Sequence, residues 1–132
     1  GRRDCLQIFG SNWETPDSTG ISDYIHVMDL ADGHCAALNH LMRMPPQLLT
    51  LNLGSGQGAS VLDVVQAFEK ASGRRIPYEI VPRRDGDAAI TVADPSTAAE
   101  QLKWRTKRTL QDMCLDGWAW QSANPKGYQE NN

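Results

Sequence analysis

The chain has 132 residues, 40% apolar and 22% charged, enough for one domain with a buried core and too few for two of ordinary size. Thirteen Lys and Arg against sixteen Asp and Glu leave a net charge of −3 with both signs interspersed, so the basic field that nucleic acid or an anionic membrane surface requires is excluded. No apolar run approaches the ~20 residues of a membrane span, and Gly1-Arg2-Arg3-Asp4 leads into no signal-peptide core, so a soluble, cytoplasmic protein is expected.

In chain order, Leu6-Gln7-Ile8-Phe9 alternates and stops at Gly10-Ser11-Asn12, which predicts a short strand ending in a turn. Residues 15–20 read as loop. Tyr24-Ile25-His26-Val27 is β-branched and aromatic and predicts a strand, after which Asp29 is placed to cap a helix from 31 to about 42, ended by Pro45-Pro46. Residues 48–53 form another apolar strand candidate. Beyond Gly54-Ser55-Gly56-Gln57-Gly58-Ala59, Ser60 caps the best amphipathic helix, with Val61, Leu62, Val64, Val65 and Phe68 on its buried face and Ser72-Gly73 at its end.

Tyr78-Glu79-Ile80-Val81, between Pro77 and Pro82, predicts a strand, and Ile90-Thr91-Val92 a further short one. Residues 95–102 suit a short helix with Pro95 in its first turn. Leu110, Met113, Cys114 and Trp118 are spaced for a last helix from 109 to about 122, stopped by Asn124-Pro125-Lys126-Gly127, and residues 129–132 read as a frayed end. Strands alternating with helices point to an α/β domain.

Gly54-Ser55-Gly56-Gln57-Gly58-Ala59 matches G-x-G-x-x-[G/A] between a predicted strand and a predicted helix, where such a loop holds a dinucleotide pyrophosphate. A dinucleotide fold needs several βα units, however, and little sequence flanks this mid-chain loop, so a glycine-rich tight turn competes with that reading. Pro82-Arg83-Arg84-Asp85-Gly86-Asp87 sets two guanidinium groups and two carboxylates after a strand; it reads either as a phosphate-binding loop or as a solvated charged turn.

Cys5, Cys35 and Cys114 suit neither a disulfide framework nor a zinc site and read as reduced thiols. His26, falling in a predicted strand, and His34 and His40, six apart, make no ligand pair on one helix face, so no metal is expected. Trp104, Trp118 and Trp120 are read as packing residues ahead of a stacking platform for a sugar or base. No G-x-S-x-G, H-E-x-x-H, Walker A or Y-x-x-x-K pattern occurs, so the chain holds no self-contained catalytic set.

Several segments together resemble the C-terminal part of the UDP-glucose 4-epimerase family, within the extended short-chain dehydrogenase/reductase superfamily. They are Leu6-Gln7-Ile8-Phe9-Gly10, Asp23-Tyr24-Ile25-His26-Val27-Met28-Asp29-Leu30-Ala31-Asp32-Gly33-His34, Leu51-Asn52-Leu53-Gly54, Pro82-Arg83-Arg84-Asp85-Gly86-Asp87, and Trp118-Ala119-Trp120-Gln121 with Asn124-Pro125-Lys126-Gly127-Tyr128. The resemblance implies a small mixed sheet with several helices, the substrate-binding portion of an extended short-chain dehydrogenase without its Rossmann domain. Residues 1–132 would be a single UDP-sugar-binding C-terminal domain, and the glycine loop a structural turn.

By the same resemblance Arg84 contacts the nucleotide diphosphate and Asp87 the ribose. The strand around Gln7 and Phe9 lines the uracil, with Phe9 packing on the ring. Two positions are distinctive. Where the family usually has a second diphosphate-binding Arg, this chain has Ser22, and exchanging a charge-assisted hydrogen bond for a hydroxyl costs about 1.5–3 kcal/mol. Thr91 stands where a bulky aromatic in some members narrows the sugar pocket; a small residue points to the kind that admits N-acetylated sugars.

The family uses NAD to oxidise C4 of the sugar and return the hydride after the keto intermediate turns over, with a Y-x-x-x-K pair and a Ser or Thr at the 4-hydroxyl. Those groups are absent from this sequence, so NAD is expected in the complete enzyme, none is expected for this chain alone, and the chain alone is expected to be inert. Its implied partners are a UDP-sugar and the NAD-binding domain, with no nucleic acid and no membrane. The face that packs on that domain is expected to weaken the isolated chain and to allow homo-oligomers. A non-catalytic nucleotide-binding or interaction module of the same descent is an alternative that Ser22 favours. A sibling decarboxylase or dehydratase is another, against which the W-x-W-Q-x-x-N-P ending speaks.

Overall fold

The computed structural model describes residues 4–128; the lead-in Gly1-Arg2-Arg3 and the end expected to fray, residues 129–132, lie outside the described residues. In chain order these run β1 (Leu6–Phe9), β2 (Ile21–Asp23), α1 (Val27–Arg43), β3 (Gly58–Ser60), α2 (Val61–Ser72), β4 (Tyr78–Val81), β5 (Ile90–Thr91), α3 (Ser96–Leu102) and α4 (Leu110–Ala123). The α/β class holds, with the strands divided between two small sheets. In one, β1 pairs with β4 in parallel, from Leu6↔Tyr78 to Phe9↔Val81. In the other, β2 lies between antiparallel β3 and parallel β5. The loop between β1 and β2 carries the chain from one sheet to the other and turns on Asp17, which accepts from Thr19 N and Oγ1 at 2.9 and 2.8 Å.

Strands this short contribute few ladder bonds, so the helices supply much of the packing. α2 begins with a reciprocal cap: Asp63 N donates to Ser60 Oγ and Ser60 N to Asp63, both at 2.9 Å. α4 begins the same way on Thr109 and Asp112. The two helices pack together; Phe68 meets Trp118 edge to face at 6.3 Å, and the Arg74 guanidinium lies 5.1 Å from the Trp118 ring centre. Trp104 is buried against α1 at Gly33, and Trp120 is half-exposed, so these tryptophans serve separate places and form no common platform.

Four expectations are corrected. The strand predicted over 24–27 lies earlier, as β2, and Val27 already begins α1. His26 therefore sits at the helix cap and not in a strand: its Nδ1 accepts from Met28 N at 3.1 Å, leaving the Nε2 proton to reach Asp116 at 3.1 Å. Asp29 is no cap either, because its buried carboxylate accepts from Lys107 N at 3.0 Å, Arg108 N at 2.9 Å and Arg108 Nη1 at 2.6 Å. Burial works to raise its pKa, and those donors with the guanidinium charge hold it below the ordinary value.

Residues 48–53 form no strand, since no described strand lies alongside to pair with them, and Leu48 is 94% exposed. Pro95 stands at the N-cap of α3 and not within its first turn. On α1, Val27, Met28, Leu38, Leu41 and Met42 remain open to solvent. No described helix is long and apolar enough to cross a membrane.

Candidate functional site

Because β1 and β4 are parallel, their C-terminal ends deliver the loops that begin at Gly10 and Pro82 to the same side. Parallel sheets place ligands outside such ends. Ser22 on β2 and Thr91 on β5 are register partners, which brings both side chains into one neighbourhood. A cleft of about 380 Å³ opens there, and Gln7, Phe9, Ser22, Arg84, Asp87 and Thr91 all line it. Every binding residue proposed from the sequence thus meets in a single hollow, although they come from four separate segments. Trp13 lines it too. Nothing in residue spacing marked Trp13, and its one signal was an aromatic residue close behind a strand end.

The two arginines of the charged loop divide their tasks. Arg84 Nε donates to Asp87 at 2.9 Å, and the guanidinium lies 4.3 Å from the Phe9 ring centre. The Arg84 side chain is 61% exposed, so this pair is worth at most about 1 kcal/mol and exchanges readily for another anion. Arg83 is spent elsewhere: Nε donates to Asn12 Oδ1 at 2.7 Å, Nη2 donates to the Asn12 carbonyl, and the guanidinium stacks 3.7 Å from the Trp13 ring centre. Gly10, at φ +85°, makes this crossing possible; a Cβ there would stand 2.6 Å from Arg83 Cγ. The Gln7 side-chain amide is engaged by Glu79 at 2.9 Å.

The glycine-rich loop resolves in favour of the turn. Asp23 Oδ1 accepts from Ser55 N at 3.0 Å and from Ser55 Oγ, and Oδ2 accepts from Gly56 N at 2.9 Å and Ala93 N at 3.3 Å. Gly54 is glycine because the loop closes so tightly on this carboxylate that a Cβ would lie 2.7 Å from Asp23 Oδ2 and 2.5 Å from Ala93 Cβ. Burial works to raise the Asp23 pKa, but the donors from Ser55, Gly56 and Ala93 outweigh it and hold the group below its ordinary value. The Ser55 and Gly56 N–H groups that a dinucleotide pyrophosphate would need are already turned to Asp23, so this loop does not fit NAD. Among the described residues no three metal-ligating groups cluster.

No protein-family model matches the chain. UDP-glucose 4-epimerase of Yersinia pestis is 53% identical over 130 residues, covering 98% of this chain and 38% of that protein. The enzyme of that name from Dictyostelium discoideum is 49% identical over 131 residues, covering 99% and 38%. The crystal structure of UDP-glucose 4-epimerase from Bifidobacterium longum in complex with NAD+ and UDP superposes with a TM-score of 0.91 at 45% identity, over 97% of this chain and 38% of that one.

This fold and cleft, with that likeness, define the C-terminal part of an extended short-chain dehydrogenase/reductase. The chain spans 38% of the length of these curated relatives. It belongs to the UDP-glucose 4-epimerase family, as the counterpart of the C-terminal part of those enzymes.

Proposed function

We propose that residues 1–132 are a single domain that holds the UDP-sugar of a UDP-glucose/UDP-galactose 4-epimerase. NAD and the groups acting at C4 of the sugar would then be carried by protein outside these residues. One observation carries this reading: Phe9, Ser22, Arg84, Asp87 and Thr91 converge on one cleft beyond two parallel strand ends. Each has a matching task. The Arg84 fork pairs with diphosphate oxygens once it leaves Asp87, whose carboxylate then accepts from a ribose hydroxyl. The Phe9 ring stacks on the uracil, and small Thr91 leaves room for an N-acetylated sugar.

In this reading the exposed apolar positions of α1 and the unpaired residues 48–53 face the NAD-binding domain, and they pair copies of the chain when that domain is absent. A cytoplasmic setting goes with it, since Cys5, Cys35 and Cys114 are all free thiols.

Titrating UDP into isotopically labelled chain tests the site, with the largest shifts expected at Phe9, Ser22, Arg84 and Asp87. Shifts that avoid those residues sink the assignment. Ser22, which brings no cation to the cleft, supports a second reading as a nucleotide-binding module without catalysis. The longer protein containing these residues separates the two: an epimerase interconverts UDP-glucose and UDP-galactose, and a module binds UDP without turnover.

A further inference from the structure

We propose that Arg83 is a positioning residue that sets the selectivity of the cleft for uracil over a purine base without touching the ligand. The inference rests on the reading of the cleft as a uridine diphosphate site. The Nε side of the Arg83 guanidinium is already committed within the protein: Nε donates to Asn12 Oδ1 at 2.7 Å and Nη2 to the Asn12 carbonyl. Its guanidinium plane instead covers Trp13 at 3.7 Å, and Trp13 Nε1 donates to the Phe9 carbonyl at 3.0 Å. A relay therefore runs from Arg83 through Trp13 to the end of β1, where the base is expected to stack.

Trp13 and Phe9 both line the cleft, so tying one to the other fixes the wall they share. The larger purine is refused by a wall that cannot yield. Lysine cannot replace this arginine, because an ammonium group offers neither a flat face to the indole nor two parallel donors to Asn12. The diphosphate end of the cleft depends on Arg84 and Asp87, whose 2.9 Å pair does not involve Arg83.

The test compares dissociation constants for UDP and ADP in the 132-residue chain, Arg83→Lys and Asn12→Ala. The wild type is expected to prefer UDP, and Arg83→Lys to cut the UDP-to-ADP affinity ratio by about tenfold, the size of one lost charge-assisted hydrogen bond. Asn12→Ala, an exposed change that removes one of the two acceptors, should lower the ratio in the same direction by less. General destabilisation weakens both ligands alike and leaves the ratio intact. If Arg83→Lys does not fold, Asn12→Ala decides the matter. An unaltered ratio, or a wild type that binds both nucleotides equally, overturns the role of Arg83 and leaves the UDP site standing. Failure of the wild type to bind UDP removes the site itself, and the inference with it.

Discussion

Replacing Asp23 by Asn tests whether one carboxylate holds the second sheet together. The change preserves shape but turns one oxygen into an NH2 donor. In one orientation that donor faces Gly56 N and Ala93 N; in the other it faces Ser55 N and Ser55 Oγ, so no flip of the amide rescues the contacts. Each orphaned donor costs roughly 1–3 kcal/mol, and water recovers part of this at exposed Gly56, which leaves a loss of about 2–3 kcal/mol. Against a total of about 5–15 kcal/mol for an ordinary domain, such a loss is easily measured.

Urea unfolding should show it as a midpoint lowered by about 1 M or more. Acid supplies the second arm. Asp23 has a folded pKa held below its ordinary value, so its contribution is full above the unfolded pKa and is lost as pH falls through the folded one. The gap between wild type and variant should stay constant from about pH 8 to 5 and narrow below about pH 4. A variant within about 0.5 kcal/mol of wild type at neutral pH, or a gap that acid leaves unchanged, refutes the reasoning.

Ser22→Arg should restore a second guanidinium beside Arg84 and tighten UDP by about tenfold, with steeper salt dependence by calorimetry. Unchanged or weaker affinity would show that Ser22 does not face the diphosphate. Gly10→Ala forces a Cβ to 2.6 Å from Arg83 Cγ at a φ of +85°. It should cost about 1–3 kcal/mol in a thermal melt and weaken UDP binding as well, and a melt equal to wild type would count against the Arg83 crossing. In sedimentation the chain should self-associate with rising concentration, and Met42→Glu on the exposed side of α1 should reduce that association. A monomer at every concentration tested speaks against an apolar docking face.

Legibility in the sequence followed the range of the forces involved. β1, β4 and α2 were readable because alternation, flanking prolines and a Ser cap with a Gly stop are local. The strand misplaced over 24–27 and the cap misassigned to Asp29 share one cause, partners more than seventy residues away: Asp116 for His26, and Lys107 and Arg108 for Asp29. Residues 48–53 have the composition of a strand, but composition cannot supply a neighbour.

At the site, Arg84 and Asp87 were ambiguous by themselves and gained meaning from the resemblance. Trp13 and the separate duty of Arg83 were illegible, because a guanidinium stacked on an indole across the loop of Gly10 leaves no periodic trace. The glycine motif was open between two readings for a similar reason, since the anion its N–H groups meet is the Asp23 side chain, 32 positions away.

The parallel pairing of β1 with β4 also governs when the cleft comes into being. Gln7 and Glu79 are register partners 72 positions apart, so closing that loop costs chain entropy before any ladder bond repays it. The helices α2 and α4 each start from a local capping box and are expected to form first. The cleft is then among the last parts of the molecule to assemble, and no excised peptide carrying only one of its loops will reproduce it. If the cleft binds UDP as proposed, its affinity will accordingly report on the completion of folding as well as on the chemistry of the pocket.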